Sequence, residues 1–168
     1  MTFLKPTLIL PCVTDITPDW LRSHQIKGLL FDLDNTLIRP KTAVIDPPIE
    51  AWLKTIQAQG FLCAVVSNNK KHDYLKTCEA LLQVPVYGFA RKPSTAVFKQ
   101  ALEKLALQAE HAVVIGDRPL TDIWGGVRLG SKTILVDPLN KDREPWGIQR
   151  LRQMERCSIG EPLERGLP

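Results

Sequence analysis

The chain has 168 residues, 44% of them hydrophobic and 24% charged, with a net charge of +4. That size and balance fit a single globular domain, residues 1–168, and exclude disorder, collagen-like repetition and repeat arrays. No stretch approaches the ~20 apolar residues of a membrane-spanning helix, and an opening broken by Pro6 and Pro11 makes a poor secretory signal.

In chain order, residues 1–25 read as an N-terminal flank: an extended segment, then a short helix opening at Thr17, Pro18 and Asp19. Five short apolar runs come next, at 26–31, 61–67, 84–89, 111–116 and 132–136, rich in β-branched and aromatic residues. Near-continuous apolar runs are how strands buried on both faces of a parallel sheet read. Helical stripes lie between them. Ile49, Trp52, Leu53 and Ile56 form one, opened by Pro47 and Pro48 and closed by Gly60. Tyr74, Leu75, Cys78, Leu81 and Leu82 form the next; Val97, Phe98, Ala101, Leu102 and Leu105 form a third; residues 123–129 make a short fourth. The alternation predicts a three-layer α/β/α sandwich on a doubly wound parallel sheet, with the core at 26–138. Beyond it, Ile148, Leu151 and Met154 share a stripe of a closing helix over 145–157, and 158–168 reads as a loose tail. Residues 141–168 carry six basic and five acidic side chains, too balanced for a polybasic anchor.

The cysteines, Cys12, Cys63, Cys78 and Cys157, include no CxxC pair. Cys63, inside an apolar run, and Cys78, on the apolar face of a helical pattern, read as buried reduced thiols, and a reducing, cytoplasmic compartment follows.

Ligands of open parallel sheets bind at the carboxyl ends of strands, so the residues just past each run carry the functional signal. The first run ends in Asp32-Leu33-Asp34-Asn35-Thr36. Two carboxylates at i and i+2 repel one another and call for a cation, and Mg²⁺ prefers carboxylate and phosphate oxygens. The second ends in Ser67-Asn68-Asn69, a set of phosphate donors or an ordinary turn. The third leads into Arg91-Lys92-Pro93, where Lys92 alone reads as a surface lysine. The fourth ends in Gly116-Asp117, with Asp122 five residues on, at the start of the next helix.

Acid pair, hydroxyl, lysine, acid pair, in that order over 26–138, resembles the four motifs of the haloacid-dehalogenase-like (HAD) superfamily of phosphotransferases. The resemblance implies an enzyme that hydrolyses a phosphomonoester with Mg²⁺. Asp32 would be the nucleophile, forming an aspartyl-phosphate, and Asp34 the general acid and then base. Asp32, Asp117 and the Asp34 backbone carbonyl would hold the metal. Ser67, Asn68 and Lys92 would bind the phosphoryl group, with Thr36 supporting the loop and Asp122 in the outer layer. Dehalogenases of the superfamily lack the second aspartate, so Asp34 favours phosphate chemistry. Lys92, placed at a strand mouth outside the core, is expected to be removable without loss of folding.

Only 30 residues separate Thr36 from Ser67 and 24 separate Ser67 from Lys92, which leaves no room for a cap domain. Arg39, Lys41, Lys70, Lys71, Arg91 and Arg118 all come just after strand mouths and predict a basic rim. An open, basic site suits a substrate with more than one phosphate or one at an anionic surface, and a peripheral contact with the inner face of a membrane. No aromatic cluster points to nucleic acid. The segments 15–18 and 26–37, with Thr121-Asp122, Gly125-Gly126, 128–130 and 133–136, resemble the YqeG-type branch of the capless subfamily IIIA. That branch is similar to phosphatidylglycerophosphate phosphatases, which implies a phospholipid substrate. A soluble phosphatase for a sugar, nucleotide or other metabolite phosphate is the alternative, and a non-enzymatic binding module is disfavoured by the intact acids.

Overall fold

The computed structural model describes residues 4–140 and 146–164. Six parallel strands form one sheet: β1 (Leu8–Leu10), β2 (Gly28–Phe31), β3 (Leu62–Val66), β4 (Val86–Tyr87), β5 (Ala112–Gly116) and β6 (Lys132–Val136), in the order β1-β6-β5-β2-β3-β4. The five apolar runs each hold one strand. The third shrinks to two residues, since β4 at the sheet edge pairs only through Val86 and Tyr87. The sixth strand comes from the N-terminal flank: β1 pairs with β6, and Thr7 exchanges hydrogen bonds with Thr133.

Strand periodicity divides the core. Leu29, Phe31, Cys63, Val65, Val113 and Ile115 point to one face, and Leu30, Ala64, Val66, Ala112 and Val114 to the other. The first face is covered by α1 (Pro18–Ser23), α2 (Pro47–Ala58) and α3 (His72–Leu82); the second by α4 (Ala96–Lys104), with α5 (Trp124–Leu129) beside it. The predicted caps form: the Thr17 hydroxyl accepts from Trp20 N–H at 3.2 Å, and Gly60 closes α2 at φ 87°. One helix each links β2 to β3 and β3 to β4, so no cap domain interrupts the fold.

The C-terminal end differs from expectation. Helix α6 (Trp146–Cys157) forms, but its stripe faces outward: Ile148, Leu151 and Met154 are exposed, and the buried residue is Glu155. Ion pairs made by Arg152 and Glu155 outweigh the apolar stripe. Residues 158–164 are not a loose tail. They run beside the N-terminal segment, Leu163 and Glu164 N–H donating to the Pro6 and Thr7 carbonyls at 3.0 Å. The Glu164 carboxylate accepts from Trp20 Nε1 at 2.8 Å and lies 2.7 Å from His24 Nε2. The rest of the predicted tail, 165–168, lies outside the described residues.

Candidate active site

Strand order reverses between β2 and β5, the place where ligands collect in doubly wound sheets. Asp32 leaves β2 with its N–H still donating to the Ile115 carbonyl of β5 at 2.8 Å, so the sheet ladder itself places the first acid. Asp117 comes directly after β5. A five-residue π-type turn, Pro119–Ile123, then carries Asp122 back over the strand end. Oxygens of Asp32, Asp117 and Asp122 lie within 4.8 Å of one another, the group of acids that the described residues bring together.

Gly116 makes that approach possible. A Cβ there would stand 2.4 Å from Asp122 Cγ and 2.5 Å from its Oδ2. Gly116→Ala therefore pushes Asp122 off its partners. It should lower stability by about 1–3 kcal/mol, as overpacking does, and reduce turnover of an aryl phosphate, read by a thermal melt and an assay on the same sample.

Lys92 is the counter-charge. Its Nζ lies 2.5 Å from Asp32 Oδ1 and 2.7 Å from Asp122 Oδ1, and its side chain is 2% exposed. This corrects the expectation of a removable lysine outside the core: Asp32 and the buried Asp122, at the ends of neighbouring strands, draw the ammonium inward. Burial pulls its pKa down, but Asp122 and Asp32 more than reverse this, so it stays charged. Burial, together with Asp122 and Asp117, pushes Asp32 up to about 8 against the pull of Lys92. Asp117 rises to about 6 through burial and Asp122, against Arg152.

Asp34 stands apart from this cluster. Its carboxylate accepts from Tyr74 Oη at 2.7 Å and Asn69 Nδ2 at 3.2 Å. Tyr74 read as part of the α3 core stripe. Its ring does pack there while its hydroxyl reaches the site, a double use that helical spacing does not reveal. Ser67 is buried, with Oγ accepting from Asn69 N–H at 3.1 Å and its own proton left to donate. The Asn68 side chain is occupied by the Lys92 backbone, accepting its N–H at 2.7 Å and donating to its carbonyl at 3.4 Å. It thus positions Lys92, and the second N–H of its amide and its main chain remain for a phosphate. Thr36 is buried, and its Oγ1 has no hydrogen-bond partner among the described residues.

Asp32, Asp34, Ser67, Asn68, Lys92, Asp117 and Asp122 line one pocket of about 580 Å³. Of the predicted basic rim, Lys41 and Arg118 line it; Arg39 is paired with Asp46 at 3.1 Å. Sequence reading missed Arg152 of α6, which lines the pocket and holds the Asp117 carboxylate. Arg118 pairs with the buried Glu155 of the same helix. Both contacts span more than thirty residues, and no local spacing announces them.

The HAD-hydrolase-like family profile matches residues 89–144, the stretch with Lys92, Asp117 and Asp122. The chain is also 36% identical to the Bacillus subtilis protein named "Probable phosphatase YqeG", over 98% of this chain and 94% of that one. It belongs to the HAD hydrolase superfamily. It is a phosphatase of that superfamily. It is 30% identical to the chloroplastic/mitochondrial phosphatidylglycerophosphate phosphatase 1 of Arabidopsis thaliana over 89% of this chain, and spans only 46% of that longer protein. The fold matches that of a HAD phosphatase from Thermococcus onnurineus with a TM-score of 0.57, over 71% of this chain and 89% of that one, at 15% identity.

Proposed function

We propose that the protein hydrolyses a phosphomonoester through an aspartyl-phosphate on Asp32, with phosphatidylglycerophosphate as the substrate. One observation carries the chemistry: the Asp32 carboxylate sits against Lys92 in the same pocket as a separately held Asp34. An Asp32 oxygen attacks phosphorus and the ester oxygen leaves. Asp34 supplies the proton that the departing alkoxide takes up. Asp34 then removes a proton from water, whose oxygen attacks the same phosphorus. The acyl-phosphate bond breaks, inorganic phosphate departs and Asp32 is restored. Lys92 and the Ser67 hydroxyl hold the phosphoryl oxygens throughout.

The donor set fits a hard divalent cation: carboxylate oxygens, no sulfur or imidazole, and mutual repulsion that buried Lys92 only partly offsets. Asp32 and Asp117, with the Asp34 backbone carbonyl, would hold Mg²⁺, and Asp122 would orient Lys92 beside it. When bound, the ion supplies positive charge against phosphate and carboxylate alike.

These acids also set a pH dependence. Without metal, the folded state keeps protons on Asp32 and Asp117 that the unfolded chain releases near 3.8. The stability these groups contribute is full below that value and is lost as pH rises through about 6 and about 8. Mg²⁺ favours the ionised forms, so the Tm gain on adding it should grow between about pH 5 and pH 8. A gain that stays flat across matched melts with chelator and with Mg²⁺ contradicts the proposed ligand set.

Asp34→Asn should slow hydrolysis of an alkyl phosphate by about 10²–10⁴-fold, with binding of inorganic phosphate retained. Steady-state kinetics and a phosphate titration check this.

The lipid reading rests on the uncapped pocket, on Lys41, Arg118 and Arg152 at its wall, and on likeness to enzymes named for that lipid. The test offers phosphatidylglycerophosphate in mixed micelles with Mg²⁺ beside a panel of soluble phosphate esters. Preferred turnover of the lipid supports it. A sugar or nucleotide phosphate with a higher kcat/KM assigns the protein to soluble metabolism instead.

A further inference from the structure

Helix α6 is mounted with its polar side inward. Its attachments are ionic: Glu155 to Arg118, Arg152 to Asp117, and Arg156 to Asp137 and the Val136 carbonyl. An ordinary surface helix does the reverse, burying its apolar stripe and showing its charges. Here Trp146 is 72% exposed, Met154 66%, and Ile148 and Leu151 46% each. The helix packs against the π-type turn. That turn and the α5 it leads into expose Leu120, Trp124 and Val127 as well.

We propose that α6 with the adjoining turn and α5 is a membrane-docking face, and that its occupant is the surface of an anionic phospholipid bilayer. Two features select a bilayer. Each exposed tryptophan carries an arginine over its ring, Arg150 at 5.3 Å from Trp146 and Arg128 at 5.8 Å from Trp124. Paired indole and guanidinium suit the headgroup layer, where the ring enters the acyl boundary and the cation meets phosphate. The charge shown on this face is also basic: Arg152, Arg156 and Glu155 are turned inward to Asp117, Asp137 and Arg118, which leaves Arg150 of α6 and Arg128 of α5 beside the exposed tryptophans.

The face adjoins the catalytic pocket. Ile148 and Arg152 of α6, and Arg118 and Thr121 beside them, line the pocket that holds Asp32. A bilayer seated on α6 brings its headgroups to that mouth. The advantage for catalysis rests on the lipid-phosphatase reading; the docking itself does not.

The test uses the full chain and a triple variant, Trp146→Gln, Leu151→Gln and Met154→Gln, none of which lines the pocket. Vesicles of phosphatidylcholine, with and without phosphatidylglycerol, are sedimented with each protein. The wild type should pellet with the anionic vesicles, and the triple variant should lose on the order of tenfold or more in partitioning. Turnover of a soluble aryl phosphate should be unchanged, which also shows that the variant folds. A wild type that remains in the supernatant while active on the aryl phosphate overturns the proposal. So does a variant that pellets like the wild type, or one whose substitutions split a dimer by light scattering, which would mean that a second copy covers the face. Hydrolysis of the lipid in micelles without vesicle binding sinks the docking face and spares the substrate. Vesicle binding without lipid hydrolysis does the opposite.

Discussion

Asp32→Asn should reduce turnover of every phosphomonoester to background, a loss on the order of 10⁴- to 10⁶-fold. In the proposed mechanism the carboxylate bonds to phosphorus, and an amide is no substitute as a nucleophile. The fold should survive. Burial and two neighbouring acids already disfavour the charge at this position, so a neutral isostere relieves repulsion while its amide oxygen still accepts from Lys92. Acid-quenched wild type should carry a phosphoryl group on Asp32 during turnover, and the variant none. A variant that keeps more than a hundredth of wild-type rate, or a phosphoryl group trapped on another residue, removes Asp32 from the role.

Lys92→Ala should damage both catalysis and folding. In the structure its ammonium is enclosed between Asp32 and Asp122. Removing one partner of a buried ion pair leaves uncompensated charge and costs about 3–5 kcal/mol, which lowers Tm by roughly 10 °C for a chain of this length. Turnover should fall with it, since the phosphoryl group would then face carboxylates unscreened. Two comparisons separate the effects. Lys92→Met keeps most of the side-chain volume without the charge, so equal Tm losses for Met and Ala assign the loss to electrostatics. In the double variant Lys92→Met with Asp122→Asn, a repulsive acid is also removed. Part of the stability should return without activity. Unchanged Tm in Lys92→Ala would mean that water screens this site, against its burial.

The sequence by itself determined the strands of the core, the helices between them and which side chains stand at the strand mouths. Each of these is local. An apolar run bounded by turn residues places a buried strand, and the next residue is necessarily at a strand end; hence Asp32, Ser67 and Asp117 were legible from their positions alone. Even the two-sided core was implicit, because alternate residues of one run must serve opposite faces.

Contacts between distant segments were decided only by the tertiary structure. Lys92 alone read as a surface lysine and the resemblance put it at the phosphoryl group, but its enclosure between Asp32 and Asp122 came only with the strand order. Tyr74 looked apolar until α3 crossed above Asp34. The stripe of α6 looked like a core face, since periodicity states that a helix has two sides and not which one turns inward. Pairing of Arg152 and Glu155 with partners on the turn after β5 decided that question. The β1 strand was legible only as extended chain, and its place beside β6 came from ladder bonds across more than a hundred residues. Pattern encodes the local conformation. The register of charge against charge, and of strand against strand, exists only once the chain has folded.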